Sequence, residues 1–236
     1  WEIDSTKVEQ LKFKGFEYEY LKSEVTSGQR LHYTDKKKTY TIDYLGTFKP
    51  EKSIEVPEYY IVHKSWSDIQ YYLTYLNIST KPVIADIKQV EVYRIIDYKT
   101  SQSPYEGHYP HRNITVSKTT QSIELNEDYI MIPTNQWAGK FLVHLFEPHA
   151  EGSLFSWNYF DAILQQKEWY SEYVFEDTAK ELLESDGDLK AKFEQRKKED
   201  PEFAKNPRAQ LYFIYVNSDY YEPTHNLYPV YRLMPP

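Results

Sequence analysis

PTNQWAGKFLVHLFEPHAEGSLFSWNYFDAILQQKEWYSEYVFED, residues 133–177, carries three of the five tryptophans and the longest apolar run of the chain. At its head strand signals stop and capping signals begin. Asn135 is placed to cap a helix in which Ala138, Phe141, Leu142 and Leu145 form one stripe, with Pro148 as its end. The run Phe141 to Phe146 also suits a buried strand, and the cap and the length favour the helix. Ser153 or Ser156 starts a second helix, with Leu154, Trp157, Phe160 and Leu164 on one face. Thr178 to Glu181 has capping-box spacing ahead of Leu182 and Leu183, with Gly187 as its stop. Asp188 to Glu199 reads as a charged outer helix with Leu189 and Phe193 inward. Asn206-Pro207 joins a cap to proline at the first helical position, opening a helix through Leu211, Ile214 and Tyr215. The tail from Tyr220, with four prolines, predicts little regular structure.

Upstream the pattern is of strands. Phe16 to Tyr20 alternates ring and carboxylate, and Leu31 to Tyr33 and Tyr40 to Tyr44 resume the alternation of a half-buried sheet. An antiparallel meander follows, with turns at Ser27-Gly28 and around Asp35 to Lys38, where Lys36-Lys37-Lys38 forms a hairpin loop. Pro50 and Pro57 punctuate the chain, and Pro57 opens the next unit. Tyr59 to Val62 is a short buried strand. A helix capped by Ser65 then puts Ile69, Tyr72, Leu73 and Leu76 on one face and ends at Asn77, and Val83 to Ile96 returns as strands. This is the chain's one β-α-β segment. The fold class is therefore α+β: a mostly antiparallel β-rich half, 1–132, and a helical half, 133–236, packed against it around one shared core.

The 236 residues bury a sizeable core, and 24 tyrosines account for much of the low mean hydropathy. A formal charge of -8 without a basic stripe argues against nucleic-acid binding. No stretch is apolar for long enough to span a bilayer. The absence of cysteine excludes disulfides, thiol nucleophiles and Cys-ligated zinc. A chain opening at Trp1 without methionine is expected to be a piece of a longer protein.

His144 and Glu147 form a His-x-x-Glu pair, two of the three ligands that a catalytic zinc needs. In zinc carboxypeptidases a third His and then an acidic base follow downstream. Here the later histidines are His149 and His225, and after His225 comes NLYPVYRLMPP, without Asp or Glu. The pair is thus expected to be scaffolding. No Gly-x-Ser-x-Gly elbow or glycine-rich phosphate loop is present. Catalytic and metal residues are expected to be none. The candidate binding segment is the loop TSQSPYEGHYPHR, residues 100–112, with Tyr105, Glu106, His108, Tyr109 and His111. Aromatic and ionisable groups on a loop between strands are where binding concentrates. They can equally pack down on the sheet, and the two histidines can share a metal only with further ligands.

Tyr105 to Tyr109 (YEGHY), Ile132 to Gln136 (IPTNQ), His144 to Pro148 (HLFEP), Trp157 to Asp177 and Asn226 to Leu233 (NLYPVYRL) together carry a resemblance. The chain resembles the region that follows the catalytic domain in bacterial zinc metallocarboxypeptidases of the carboxypeptidase A-like family, especially those of Bacteroidetes-type bacteria. The matching stretches span nearly the whole chain in the family's order and are densest from Ile132 onward. The resemblance implies a non-catalytic C-terminal accessory domain of an exported protein, periplasmic or at the cell surface. The partner is the preceding peptidase domain, and zinc and the catalytic residues belong to that domain. The alternatives are a glycan- or peptide-binding module using the Tyr105–His111 loop, and a structural subunit of a cell-envelope complex, which predicts an apolar patch without a pocket.

Overall fold

The computed structural model describes residues 1–83 and 86–235. The chain divides into two compact units, Trp1–Glu55 and Val56–Pro236. The division falls between Pro50 and Pro57, where the prolines mark it.

The first unit holds β1 (Glu2–Ile3), β2 (Glu9–Lys22), β3 (Gln29–Tyr44) and β4 (Phe48–Lys49), paired β1 with β4 and β2 with β3. The register sets Leu11 opposite Ile42, Phe13 opposite Tyr40, Tyr18 opposite Tyr33 and Tyr20 opposite Leu31. Cross-strand pairs of this kind stabilise a ribbon. Tyr18 gathers the rings of Tyr20, Tyr33 and Tyr40 within 6.3 Å, and all of these residues except Tyr40 remain exposed. The turn expected at Asp35 to Lys38 does not form. Here β3 runs straight through the lysines, and the surplus length is taken up by a register shift between Phe16 and Tyr18. A tight hairpin turn needs residues that accept positive φ, and Asp35 to Lys38 offers no glycine or asparagine. Ser23 to Gly28 does turn, with the Ser23 hydroxyl accepting from the amides of Val25 and Thr26.

The second unit is built on a six-stranded sheet. In chain order its elements are β5 (Tyr59–His63), α1 (Ser67–Tyr75), β6 (Lys81–Pro82), β7 (Asp86–Thr100), β8 (His111–Leu125), β9 (Tyr129–Pro133), α2 (Gly139–Phe146) and a 3-10 turn (Asp161–Leu164). Then follow α3 (Glu172–Ser185), α4 (Gly187–Glu199), α5 (Pro201–Ala204), α6 (Pro207–Val216) and β10 (Val230–Leu233). The sheet order is β6-β9-β5-β10-β7-β8, with every neighbouring pair antiparallel. Of the strand expected from Val83, residues 84 and 85 lie outside the described residues. The tail expected to be irregular supplies a central strand instead. β10 separates β5 from β7, so these two strands run parallel with a third between them. Alternation in Val230–Leu233 accounts for this: Val230 and Arg232 are buried while Tyr231 and Leu233 are half-buried on the other face.

Both faces of the sheet bury apolar side chains. One packs Tyr60, Val62, Tyr93 and Ile95 against Ile69 and Leu73 of α1, Leu142 and Phe146 of α2, and Phe155 and Phe160. The other gathers Ile61, Val90, Val92 and Leu125. A separate cluster of Phe175, Leu189, Phe193, Phe203, Leu211, Ile214 and Tyr215 holds α3 to α6 together. The architecture is α+β, with most helices in the C-terminal half.

The helix ends differ from the expected ones where tertiary contacts outweigh local signals. Neither Ser65 nor Asn135 caps: α1 follows Trp66 and α2 follows Ala138, both without a side-chain cap. α2 starts at Gly139 because the backbone closes there. A Cβ would sit 2.2 Å from the Thr134 carbonyl oxygen. The second helix expected from Ser153 or Ser156 is replaced by turns and the short 3-10 turn, whose residue Ile163 and the preceding Leu154 and Phe160 are nevertheless buried. Thr178 lies inside α3, and Gly187 begins α4 rather than ending α3, since Asp186 accepts from the amides of Asp188 and Leu189 and caps it. Asn206 caps α6 as its sequence implies, accepting from Ala209.

Candidate functional site

The loop between β7 and β8 closes as a two-residue hairpin. The amides and carbonyls of Tyr105 and His108 exchange hydrogen bonds of 2.8 and 3.0 Å. Glu106 and Gly107 between them take φ of 52° and 81°. Positive φ at both central positions defines the type I′ turn, which favours Asn-Gly. Gly107 suits its place, whereas glutamate in the left-handed region costs about 1 kcal/mol. Asn158, itself at φ 68°, clamps this hairpin: its Oδ1 accepts from the Tyr109 amide at 3.0 Å and its Nδ2 donates to the Tyr109 carbonyl at 2.9 Å.

Beneath the hairpin lies an open cleft of about 380 Å³ lined by ten residues. Its floor is apolar, made by Leu76, Phe141, Leu145 and Leu154, and its walls are Tyr72, Tyr159, Trp157 and His108. Among the described residues Glu106 is the one carboxylate in the lining, and Gly152 completes it. The rings brace one another. His108 meets Trp157 edge-on at 5.5 Å and stacks on Tyr159 at 5.9 Å, and Tyr105 stands 6.0 Å from Trp157. The hydroxyls of Tyr72 and Tyr159 share a 2.7 Å hydrogen bond. That bond, then burial, then the neighbouring charges including Asp68, push the Tyr159 hydroxyl up to about 12. The left-handed Asn158 lets Trp157 and Tyr159 both line the cleft while Phe160 enters the core.

The five loop residues separate. Glu106 and His108 line the cleft, Tyr105 leans over Trp157 at its rim, and Tyr109 is exposed and held through its backbone. His111 belongs to the interior and is 3 % exposed. A carboxylate only accepts, so its Nε2–H donates to Asp161 at 2.9 Å, while Nδ1 pairs with the Thr100 hydroxyl at 3.0 Å. With both nitrogens engaged it shares nothing with His108. Sequence spacing puts Tyr72, Leu76, Phe141, Leu145, Leu154 and Trp157 of the cleft on helix stripes and gives Tyr159 no place. Tyr72, Phe141 and Leu145 do lie on α1 and α2, whereas the left-handed Asn158 turns Trp157 and Tyr159 out of the expected helix.

His144 and Glu147 are also parted. His144 is exposed on α2, and Glu147, 1 % exposed, follows the helix in extended backbone. Its Oε1 accepts from the Tyr60 hydroxyl at 2.8 Å and pairs with Arg232 Nε at 3.0 Å. Arg232 also pairs with Glu91, which Lys118 meets at 2.6 Å from its more exposed side. The Arg232 guanidinium lies over the Tyr93 ring at 5.2 Å. Burial first, then the Glu147 charge, push the Tyr60 hydroxyl far above its ordinary range. The Tyr228 hydroxyl donates to the Phe146 carbonyl at 2.8 Å, tying the same strand region to α2. Glu147 thus belongs to a buried ion cluster, and His144 stands apart from it on the surface.

No family model, curated protein or solved structure matches the chain. Among the described residues no three of His, Asp and Glu come together as a group able to hold a metal ion. No helix among them is long and apolar enough to cross a membrane. The donors present do not fit a catalytic zinc, because the one His-x-x-Glu pair is divided between the surface and an ion pair. What the arrangement offers chemically is recognition by aromatic faces, apolar floor and one carboxylate on a braced hairpin.

Proposed function

We propose that the chain is the non-catalytic accessory domain of a zinc carboxypeptidase-like protein, holding substrate peptide for a preceding peptidase domain outside the cytoplasm. The observation that carries the reading is the aromatic cleft under Glu106–Gly107, a pre-formed recess between the hairpin, α1, α2 and the 151–159 turns, lined by aromatic and apolar binding groups. The stretches that bear the resemblance also support it. YEGHY and the start of WNYFD build the cleft, and HLFEP and NLYPVYRL meet in the Glu147–Arg232 ion pair. A purely structural subunit predicts an apolar patch without such a recess.

Elemental analysis, a peptidase assay and fluorescence titration with a mixed peptide pool test this on the 236-residue chain. The expected result is no stoichiometric zinc, no hydrolysis, and saturable peptide binding that Trp157→Ala removes while circular dichroism stays unchanged. One tightly held zinc with hydrolysis by this chain overturns the reading. Saturable binding of neutral oligosaccharides in place of peptides moves it to a glycan module.

A further inference from the structure

The cleft joins two features that call for one kind of guest. Its floor and walls are apolar and aromatic, and its one ionised lining group is the carboxylate of Glu106. Asp68, within electrostatic reach of Tyr159, adds a second negative charge nearby. We infer that the cleft takes the side chain of an arginine or lysine from an extended peptide. This rests on the peptide-holding role proposed above and names its specificity.

Long cationic side chains carry an apolar stem and a charged head, and such a guest uses both halves of the cleft. The stem covers Leu76, Leu145 and Leu154, and the head reaches Glu106 beside the rings of Trp157 and Tyr159. A neutral apolar side chain leaves the Glu106 carboxylate, exposed at the hairpin tip, without a charged partner. A neutral sugar stacks on the rings and donates its hydroxyls to the carboxylate, but it leaves the charge unbalanced. The backbone of Glu106 argues the same way. Asn-Gly is the favoured pair for this type I′ turn, and this chain holds glutamate there at φ 52°, in strain that a local turn requirement does not explain. Strain held at a recess wall is read as retained for what the side chain does there.

That strain also supplies a clean test, because Glu106→Asn removes the carboxylate's reach while improving the turn. Isothermal titration uses acetyl-Gly-Arg-Gly-amide, its lysine counterpart and its glutamine counterpart, with the full chain and with Glu106→Asn and Glu106→Gln. Arginine and lysine peptides are expected to bind at least about tenfold more tightly than the glutamine peptide, with the preference lost in both variants and weakened by salt. Thermal unfolding is expected to show Glu106→Asn at least as stable as the parent, so lost binding cannot be lost folding. Equal binding of the three peptides, unchanged preference in Glu106→Asn, or no binding of any cationic peptide overturns the inference. If the mixed pool still binds through Trp157 while the cationic preference is absent, the accessory role stands and only the specificity fails. If neither appears, both fall.

Discussion

Arg232→Met isolates the buried ion cluster. Arg232 is 2 % exposed and Glu147 1 %, so neither charge is rescued by water. The substitution keeps most of the side-chain volume and leaves Glu147 with the Tyr60 hydroxyl but without its countercharge. Removing one member of a buried pair costs roughly 3–5 kcal/mol, because the survivor stays desolvated. Glu91 adds less, being 17 % exposed at its side chain and paired with Lys118. For a unit of this size the loss lowers Tm by about 6–20 °C. Urea unfolding followed by tryptophan fluorescence gives the free energy directly. The double variant Arg232→Met, Glu147→Gln removes both charges and keeps an acceptor for Tyr60, and it is expected to recover at least half of the loss. A single variant within about 1 kcal/mol of the parent, or a double variant as weak as the single, refutes the view that an uncompensated charge sets the cost.

Three further perturbations test separate contacts. Gly139→Ala gains about 1 kcal/mol of helix propensity but places a methyl group 2.2 Å from the Thr134 oxygen, so a net loss of roughly 1–3 kcal/mol is expected in the same unfolding assay. The Glu222 carboxylate is held below the usual 4.5 by the Lys167 amide first, against its burial, with help from the Glu168 amide and Thr224. Its folded-state affinity for protons is the weaker one, so its stabilisation is full above pH 4.5 and is lost as pH falls through the folded value; Glu222→Gln is expected to flatten the stability-against-pH curve in that acid window. Tyr72→Phe removes the first cause of the raised Tyr159 pKa, and ultraviolet difference titration should see that hydroxyl fall from about 12 toward 10. In the parent the folded form holds this proton more tightly, so the contribution is whole below pH 10 and fades as pH rises toward 12.

What could be read from the chain was what short-range chemistry decides. Asn206-Pro207 capped a helix, Leu189 and Phe193 faced inward, and the prolines at 50 and 57 bracketed the unit boundary, each from a few neighbouring residues. Val230–Leu233 was hidden because four residues between prolines carry too little periodicity to announce a strand, and only the slot between β5 and β7 makes it one. The Leu154 to Leu164 stretch shows the opposite failure. Its helical spacing was real, but a left-handed Asn158 and the Asn158–Tyr109 clamp turned that periodicity into turns that still bury Leu154 and Phe160. Of the site, Glu106 and His108 were visible as loop residues, while the walls were not, since they come from α1, α2 and the 151–159 turns. His111 is chemically indistinguishable from His108 in sequence, and only packing beside Phe155 and Asp161 sends it inward.

The place of β10 has a consequence for how the chain is made. A ribosome delivers β5 and β7 long before Val230 to Leu233, and Arg232 stands 141 residues beyond its partner Glu91. Until then the growing sheet is split into two halves, each with a raw edge of unpaired amides and carbonyls facing a gap one strand wide. Such a gap accepts any extended segment that reaches it first, including the same strand of a neighbouring nascent chain. Arg232 adds a check on the occupant, because an intruding strand without a cation there leaves Glu147 buried without its countercharge.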